Sequence, residues 1–171
     1  MTNELENACY YIEKARMELY KAVRLHNKEV IKQGDTGNYI NLPPDAWKAE
    51  CHSEMISVYI PDYVPRTVKR VPGSYERWVE NMQAALWSLE KCPKYDKAFV
   101  YIKIFHPRNW DADNRDIKPI IDGIVVADVI PDDTYNHLAY AVEGSYDENP
   151  HTIVHIFSYE NMPKMLPKIC K

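Results

Sequence analysis

The sequence predicts a mixed α/β or α+β domain, in which helices pack on a small mixed β-sheet and a long helix precedes the domain. Its segments follow the order helix, strand, helix, strand, helix, strand, strand, judged from the spacing of apolar residues. A chain of 171 residues with 46% hydrophobic residues suits one core with an appended helix and is too short for two ordinary domains.

The N-terminal part predicts a long amphipathic helix followed by a linker. Residues 3–33 contain neither Gly nor Pro, and apolar residues recur there at helical spacing until Gly34. Leu5, Ile12 and Leu19 keep a seven-residue spacing, so a short coiled-coil seam and a helix packed on its own domain both remain open. Residues 34–47 collect Gly, Asn, Asp and Pro, which is typical of a loop. We therefore expect a helix and linker over residues 1–47 and a core domain over residues 48–171.

The core domain is expected to begin with a strand, a basic loop and a helix. The apolar segment Met55–Ile60 predicts the strand. Ser74 can cap a helix that runs to about Lys91, because Pro93 then stops it. The loop between strand and helix contains three prolines and three basic residues, Arg66, Lys69 and Arg70.

The second half of the core domain predicts three more strands and a helix. Residues 97–105 alternate between apolar and other side chains, which indicates a strand, and helical spacing returns after Asp113. Residues 135–142 and 152–157 are separated by the polar run GSYDENP. This pattern predicts a β-hairpin with a long turn.

Cysteine spacing and hydropathy indicate a cytoplasmic protein with reduced thiols. The four cysteines lie far apart, without a C-x-x-C pair, so neither a zinc site nor a disulfide framework is indicated. No stretch approaches the roughly 18 consecutive apolar residues of a membrane span, and the N-terminus does not resemble a signal peptide. We expect neither secretion nor membrane insertion.

The charge distribution leaves a nucleic-acid partner open. The net charge of -4 argues mildly against such a partner, because phosphate binding usually needs a basic surface. Residues 64–118, however, carry 11 basic and 7 acidic side chains, whereas the segments before and after are acidic. The middle of the chain is therefore the place to expect contact with phosphates.

Two acidic pairs are the strongest chemical signal. Asp111 and Asp113 stand on alternate residues where a predicted strand gives way to a helix, so both side chains can point the same way and share a hard cation such as Mg²⁺. The alternative is that Asp113 or Asn114 only caps a helix that begins near Arg115. The second pair, Asp132 and Asp133, follows that helix and could approach the first pair, or could be solvated acids of a turn.

Lys118 lies between the acidic pairs, four residues after Asn114 and four before Asp122. The three residues would share one face of a helix. Lys118 could form a surface ion pair with Asp122. It could instead reach a scissile phosphate, where an ammonium would stabilise the charge that develops in the transition state.

These residues together form a pattern that resembles the RusA-type Holliday-junction resolvases. The resemblance is densest in DADNRDIKPIIDGIVVADVIPDDT and covers roughly residues 54–157. It implies a RusA-like nuclease fold and a set of site residues: the catalytic magnesium ligands Asp111, Asp113 and Asp133, the active-site Lys118, and the supporting Asn114, Asp122 and Asp132. It also implies Mg²⁺ as cofactor, with Mn²⁺ as a substitute, and a homodimer that cuts two opposed strands of a four-way DNA junction.

The chain departs from the commonest family pattern at Lys118. Three residues separate Asn114 from Lys118, where that pattern has two, so Lys118 would lie about 100° around a continuous helix from its usual place. Arg115 is then an alternative for the basic role. Contact with DNA is expected from Arg66, Lys69, Arg70, Arg108 and Arg115.

Three functions follow from these observations. The leading interpretation is a Mg²⁺-dependent endodeoxyribonuclease of DNA recombination and repair, of the kind that phages and prophages often encode. The alternatives are a non-catalytic protein of the same fold that binds branched DNA, and an interaction module whose long helix recruits a partner. The acids favour the enzyme, because three carboxylates beside a phosphate would repel it without a metal.

Overall fold

The computed structural model describes residues 47–64, 74–108 and 114–170 of the chain. From the N-terminal part it describes only separate positions, all of them helical and exposed: Ala8, Tyr11, Ile12, Ala15, Leu19, Ala22 and His26. The predicted continuous helix of residues 3–33, most of the linker and the basic loop with Arg66, Lys69 and Arg70 lie outside the described residues. No helix within the described ranges is long and apolar enough to cross a membrane.

The described residues form a mixed α+β fold, as the sequence predicts, with one five-stranded sheet and three α-helices. The strands are β1 (Lys48–His52), β2 (Met55–Ile60), β3 (Ala98–His106), β4 (Leu138–Tyr146) and β5 (His151–Ser158). The helices are α1 (Ser74–Trp87), α2 (Lys118–Val126) and α3 (Met162–Ile169). The strand order is β1-β2-β5-β3-β4, and β3 and β4 are the one parallel pair.

Strand β1 forms a hairpin with β2 that the sequence did not indicate. Ser53 and Glu54 connect the two strands with φ angles of 49° and 68°. Positive φ at both positions is the conformation of a type I′ turn, which usually contains Gly or Asn. Because neither residue is present here, the turn carried no sequence signal.

The predicted hairpin of the last two strands is wrong, because β3 lies between them. Strand β4 pairs in parallel with β3, whereas β5 pairs antiparallel with both β3 and β2. Strand β3 is apolar on both faces, with Val100 and Ile102 buried on one side and Phe99 and Tyr101 on the other. A strand buried on both faces belongs in the centre of a sheet, so it separates β4 from β5.

Helices α1 and α2 cover one face of the sheet and form the main core with it. Strand residues of this core include Ile56, Val58, Ile60, Val100, Ile102, Ile104, Val154 and Ile156, and helical ones include Trp78, Met82, Leu86, Ile120 and Ile124. Trp47 also belongs here, since its ring lies edge-on to Trp78 with 4.9 Å between centroids. A residue at the end of the predicted linker therefore packs within the core domain.

Helix α3 covers part of the opposite face and was not predicted. Met165 packs there in one buried cluster with Phe99, Tyr101 and Phe157. The helix contains Pro167 and a second proline in its first turn, both of which weaken a helical signal in the sequence. Burial of its apolar side chains on the sheet outweighs that low propensity.

Helix α2 begins later than the sequence suggested, at Lys118 instead of near Arg115. The cause is Pro119, which fits the first turn of a helix but would remove a hydrogen bond farther inside it. Asn114 is an exposed bend residue and residues 115–117 are irregular. The prediction that Asn114 shares a helix face with Lys118 and Asp122 is therefore wrong, whereas Lys118 and Asp122 do share one.

The two core helices approach each other closely at Gly123 of α2. A Cβ atom placed on Gly123 would lie 2.5 Å from Cβ of Met82 and 3.0 Å from the carbonyl oxygen of Val79, both on α1. These distances leave no room for even a methyl group. The absence of a side chain at Gly123 sets how near α1 comes to α2.

We expect Gly123→Ala to destabilise the protein. Overpacking costs about 1–3 kcal/mol, which exceeds the roughly 1 kcal/mol that alanine gains over glycine in helix propensity. Urea denaturation measures the change in the free energy of unfolding. Val126→Ala, at an exposed position of the same helix, is the control and should change it by less than about 0.5 kcal/mol. A Gly123→Ala variant at least as stable as the wild type would contradict close packing at this point.

Candidate active site

The first acidic pair belongs to the connection between β3 and α2. This connection leaves β3 after His106 and ends at Lys118. Arg108 is exposed near its start and Asn114 is exposed near its end. Asp111 and Asp113 lie between them, outside the described residues, so their assignment as metal ligands stays a prediction.

The second acidic pair follows α2 on a chain segment that buried residues anchor. Val129 and Ile130 are 1% and 2% exposed, and the amide of Val129 donates to the carbonyl oxygen of Ile124 at 3.2 Å. Asp132 and Asp133 come after Pro131 and are exposed. The segment thus holds its apolar residues in the core and presents both carboxylates to solvent.

Lys118 joins this segment to the first turn of α2. Its Nζ donates a hydrogen bond to Oδ2 of Asp133 at 2.7 Å, across 15 positions of sequence, and a second one to Oδ1 of Asp122 on its own helix. Three of the residues predicted for the site therefore lie together. The contact with Asp122 is the predicted i,i+4 ion pair, and the contact with Asp133 adds a partner from another segment.

The ion pairs reinforce the ordinary charges of these groups. Hydrogen bonds to Asp122 and then to Asp133 raise the pKa of Lys118 above its usual value. The hydrogen bond from Lys118, followed by one with Asp132, holds the pKa of Asp133 below its usual value. Near neutral pH, Lys118 is thus a cation and Asp133 an anion, so Lys118 cannot serve as a proton acceptor.

Asp122 has a second partner that the sequence analysis missed. The hydroxyl of Tyr75, in the first turn of α1, donates to Oδ2 of Asp122, so each carboxylate oxygen accepts one hydrogen bond. Partial burial, and then the bond to Asp122, raise the pKa of Tyr75 to about 12. No local pattern marks Tyr75, because only the packing of α1 on α2 creates the contact. The one available signal was Gly123 beside Asp122, a small residue at which another helix can approach.

Arg115, the alternative basic residue, contacts another part of the domain. Its Nη1 donates to the carbonyl oxygen of Val64 at 3.2 Å, and its guanidinium carbon lies 5.5 Å from the ring centroid of Tyr63. Both partners follow β2. Lys118, the other basic candidate, contacts Asp133, a predicted metal ligand.

The donor chemistry around Asp133 suits a hard cation. Carboxylate oxygens are the ligands that Mg²⁺ prefers, and the Asp133 carboxylate, 38% exposed, already binds one cation, the ammonium of Lys118. Within the described ranges, no three acidic, His or Cys side chains form a group that could hold a metal ion. The assignment of Asp111 and Asp113, from the β3–α2 connection, as further ligands beside Asp133 stays a prediction.

Comparison with known proteins adds no assignment. No protein-family model matches the chain, and no curated protein matches it.

Proposed function

We propose that the chain is a Mg²⁺-dependent endodeoxyribonuclease of the RusA type, which resolves four-way DNA junctions by phosphodiester hydrolysis. The observation that carries the proposal is the 2.7 Å contact between Nζ of Lys118 and Oδ2 of Asp133. This contact supports the proposal because it joins Lys118, the basic residue of the RusA-like motif, to Asp133, the last acid of that motif. The two belong to different segments, and local sequence does not require them to meet.

The acids of the motif would hold the metal. When bound by Asp111, Asp113 and Asp133, Mg²⁺, or Mn²⁺ in its place, polarises a phosphate oxygen and makes a bound water more acidic. Asp133 is ionised at neutral pH, as a metal ligand must be, and the hydrogen bond from Lys118 lowers its pKa further. Asp132, exposed beside it, contributes further negative charge that attracts a divalent cation.

Lys118 would bind the phosphate that is cut. Its side chain is 54% exposed, so it can reach a substrate, and Asp122 and Asp133 direct its ammonium. A fixed positive charge stabilises the negative charge that develops on phosphate oxygens in the transition state. The departure from the family spacing does not exclude this role, because Asn114 precedes α2 and the geometry of a continuous helix does not fix its position relative to Lys118.

Binding of the junction would use basic side chains and two copies of the chain. Sequence-independent contact with phosphates is assigned to residues of the basic middle segment: Arg66, Lys69, Arg70, Arg108 and Arg115. Two cuts in opposed strands need two active sites in opposed orientation, and a twofold-symmetric homodimer supplies them. Light scattering of the protein bound to a junction tests the dimer.

Cleavage of synthetic DNA tests the nuclease. We expect the wild type to cut a four-way junction in Mg²⁺ and not in EDTA, and to leave a linear duplex intact. Asp111→Asn, Asp113→Asn and Asp133→Asn should each abolish cutting while binding persists, because a neutral amide is a poor ligand for a hard cation. Asp128→Asn is the matched control, since Asp128 is exposed, pairs with Lys94 and has a φ of 61° that asparagine tolerates.

Two results would count against this assignment. Junction binding without cutting in either Mg²⁺ or Mn²⁺ would favour the non-catalytic DNA-binding protein. Normal cutting by Asp133→Asn would remove Asp133 from the site. A Y-shaped fork in the same assay shows whether the preference is for four-way branches or for any branch.

Replacement of Lys118 tests its role in the chemical step. We expect Lys118→Ala to lower kcat by about 100- to 1,000-fold with little change in junction affinity, because the contact stabilises mainly the transition state. Lys94→Ala, which removes another exposed lysine paired with an aspartate, should leave kcat unchanged. Normal rates for Lys118→Ala, together with a loss of rate for Arg115→Ala, would transfer the basic role to Arg115.

A further inference from the structure

We propose that Tyr75 is a positioning residue of the active site, whose hydroxyl fixes Asp122 so that Asp122 holds the ammonium of Lys118 beside Asp133. The inference rests on the proposed function, because it assigns Tyr75 a part in the chemistry assigned to Lys118. Tyr75 is not among the site residues that the resemblance to RusA-type resolvases implies.

Lys118 needs a restraint if it is to act on one phosphate. A lysine side chain on the surface has several rotatable bonds, and holding it in one orientation costs entropy. Lys118 is more than half exposed and is held by two carboxylates, Asp122 and Asp133. If Asp133 also binds a metal, its oxygens are shared, and Asp122 becomes the acceptor that keeps the ammonium in place.

Asp122 needs a restraint of its own. Asp122 and Lys118 lie on one helix, and an i,i+4 pair alone is worth only a few tenths of a kcal/mol on a helix surface. Tyr75 comes from another helix and donates to the oxygen of Asp122 that Lys118 does not use. The carboxylate is therefore held from two directions, and its side chain is only 26% exposed.

Tyr75 itself has a fixed position. It is partly buried against the main core, in the first turn of α1. Helix α1 in turn packs on α2 at Gly123, the residue next to Asp122, where Met82 leaves no room for a side chain. The raised pKa of Tyr75 keeps its hydroxyl protonated, and thus a donor, throughout the neutral and mildly alkaline range.

A double-mutant cycle separates positioning from mere attachment of one helix to the other. In steady-state cleavage of a junction with Mg²⁺, we expect Tyr75→Phe to lower kcat about tenfold, with KM within about twofold, since misplacing a catalytic group slows the chemical step. In a Lys118→Ala background, Tyr75→Phe should cause no further loss. Asp122→Asn should give a similar loss that is not additive with Tyr75→Phe.

Tyr95→Phe is the matched control. It removes a hydroxyl from another partly buried tyrosine, one that donates to the carbonyl oxygen of Glu54 at 2.7 Å in the β1–β2 turn. We expect it to leave kcat unchanged. Both variants keep the aromatic ring that packs in the protein, and thermal melting checks that each is folded.

Nuclear magnetic resonance of lysine ammonium groups supplies a readout that needs no activity. The wild type should give a Lys118 signal, identified by its loss in Lys118→Ala, that weakens in Tyr75→Phe and persists in Tyr95→Phe. An unchanged Lys118 signal in Tyr75→Phe overturns the proposal. The proposal is also overturned if Tyr75→Phe lowers kcat by the same factor in the wild type and in Lys118→Ala. If the wild type cuts no DNA, the proposed function fails, and the resonance experiment alone decides whether Tyr75 positions Lys118.

Discussion

Burial of β3 on both faces is the constraint on which the arrangement of this domain depends. Burial of a large apolar side chain such as Ile or Phe contributes about 1.5–3 kcal/mol, and β3 buries aliphatic residues on one side of the sheet and Phe99 and Tyr101 on the other. The strand therefore occupies the centre, and its parallel partner β4 can be reached only by a crossover. That crossover consists of α2 and the connection on either side of it. The two acidic pairs lie in those connections, and the contact between Lys118 and Asp133 ties the second connection to the helix.

The charges around Lys118 contribute little to the stability of the domain. Ion pairs between exposed side chains contribute little to folding, because water and salt screen them. Here one ammonium contacts the carboxylates of Asp122 and Asp133, and Asp132 lies beside Asp133, so negative charge is in excess. Such a surface repels a phosphate unless a cation is added. The acidic excess beside a single directed lysine therefore suits a site that binds a divalent cation together with a phosphate.

Sequence patterns predicted those parts of the fold and the site that depend on local chemistry. Strand β2 was predicted at its observed bounds, since its residues carry the local β signal, and the pair of Lys118 and Asp122 follows from helical spacing. The elements that the sequence did not predict depend on tertiary packing or on a backbone conformation without a sequence signal. Strand β1 pairs with β2 through a turn formed by Ser53 and Glu54, and α3 is stabilised by burial in spite of its prolines. The pairing of β4 with β3 depends on which strand occupies the centre of the sheet. Tyr75 was missed for a similar reason, because its contact with Asp122 exists only when two helices are packed.

The strand order also has a consequence for the solubility of the domain. Among the described strands, β1 and β4 lie at the two edges of the sheet, and an edge strand presents backbone groups that can pair with another chain. Strand β1 has five residues, and its exposed side chains are Lys48, Glu50 and His52, which discourage such pairing. Strand β4 has nine residues, LAYAVEGSY, with Glu143 as its one charged side chain. Aggregation through added strands should therefore begin at β4, and a second charged residue there is the simplest way to suppress it.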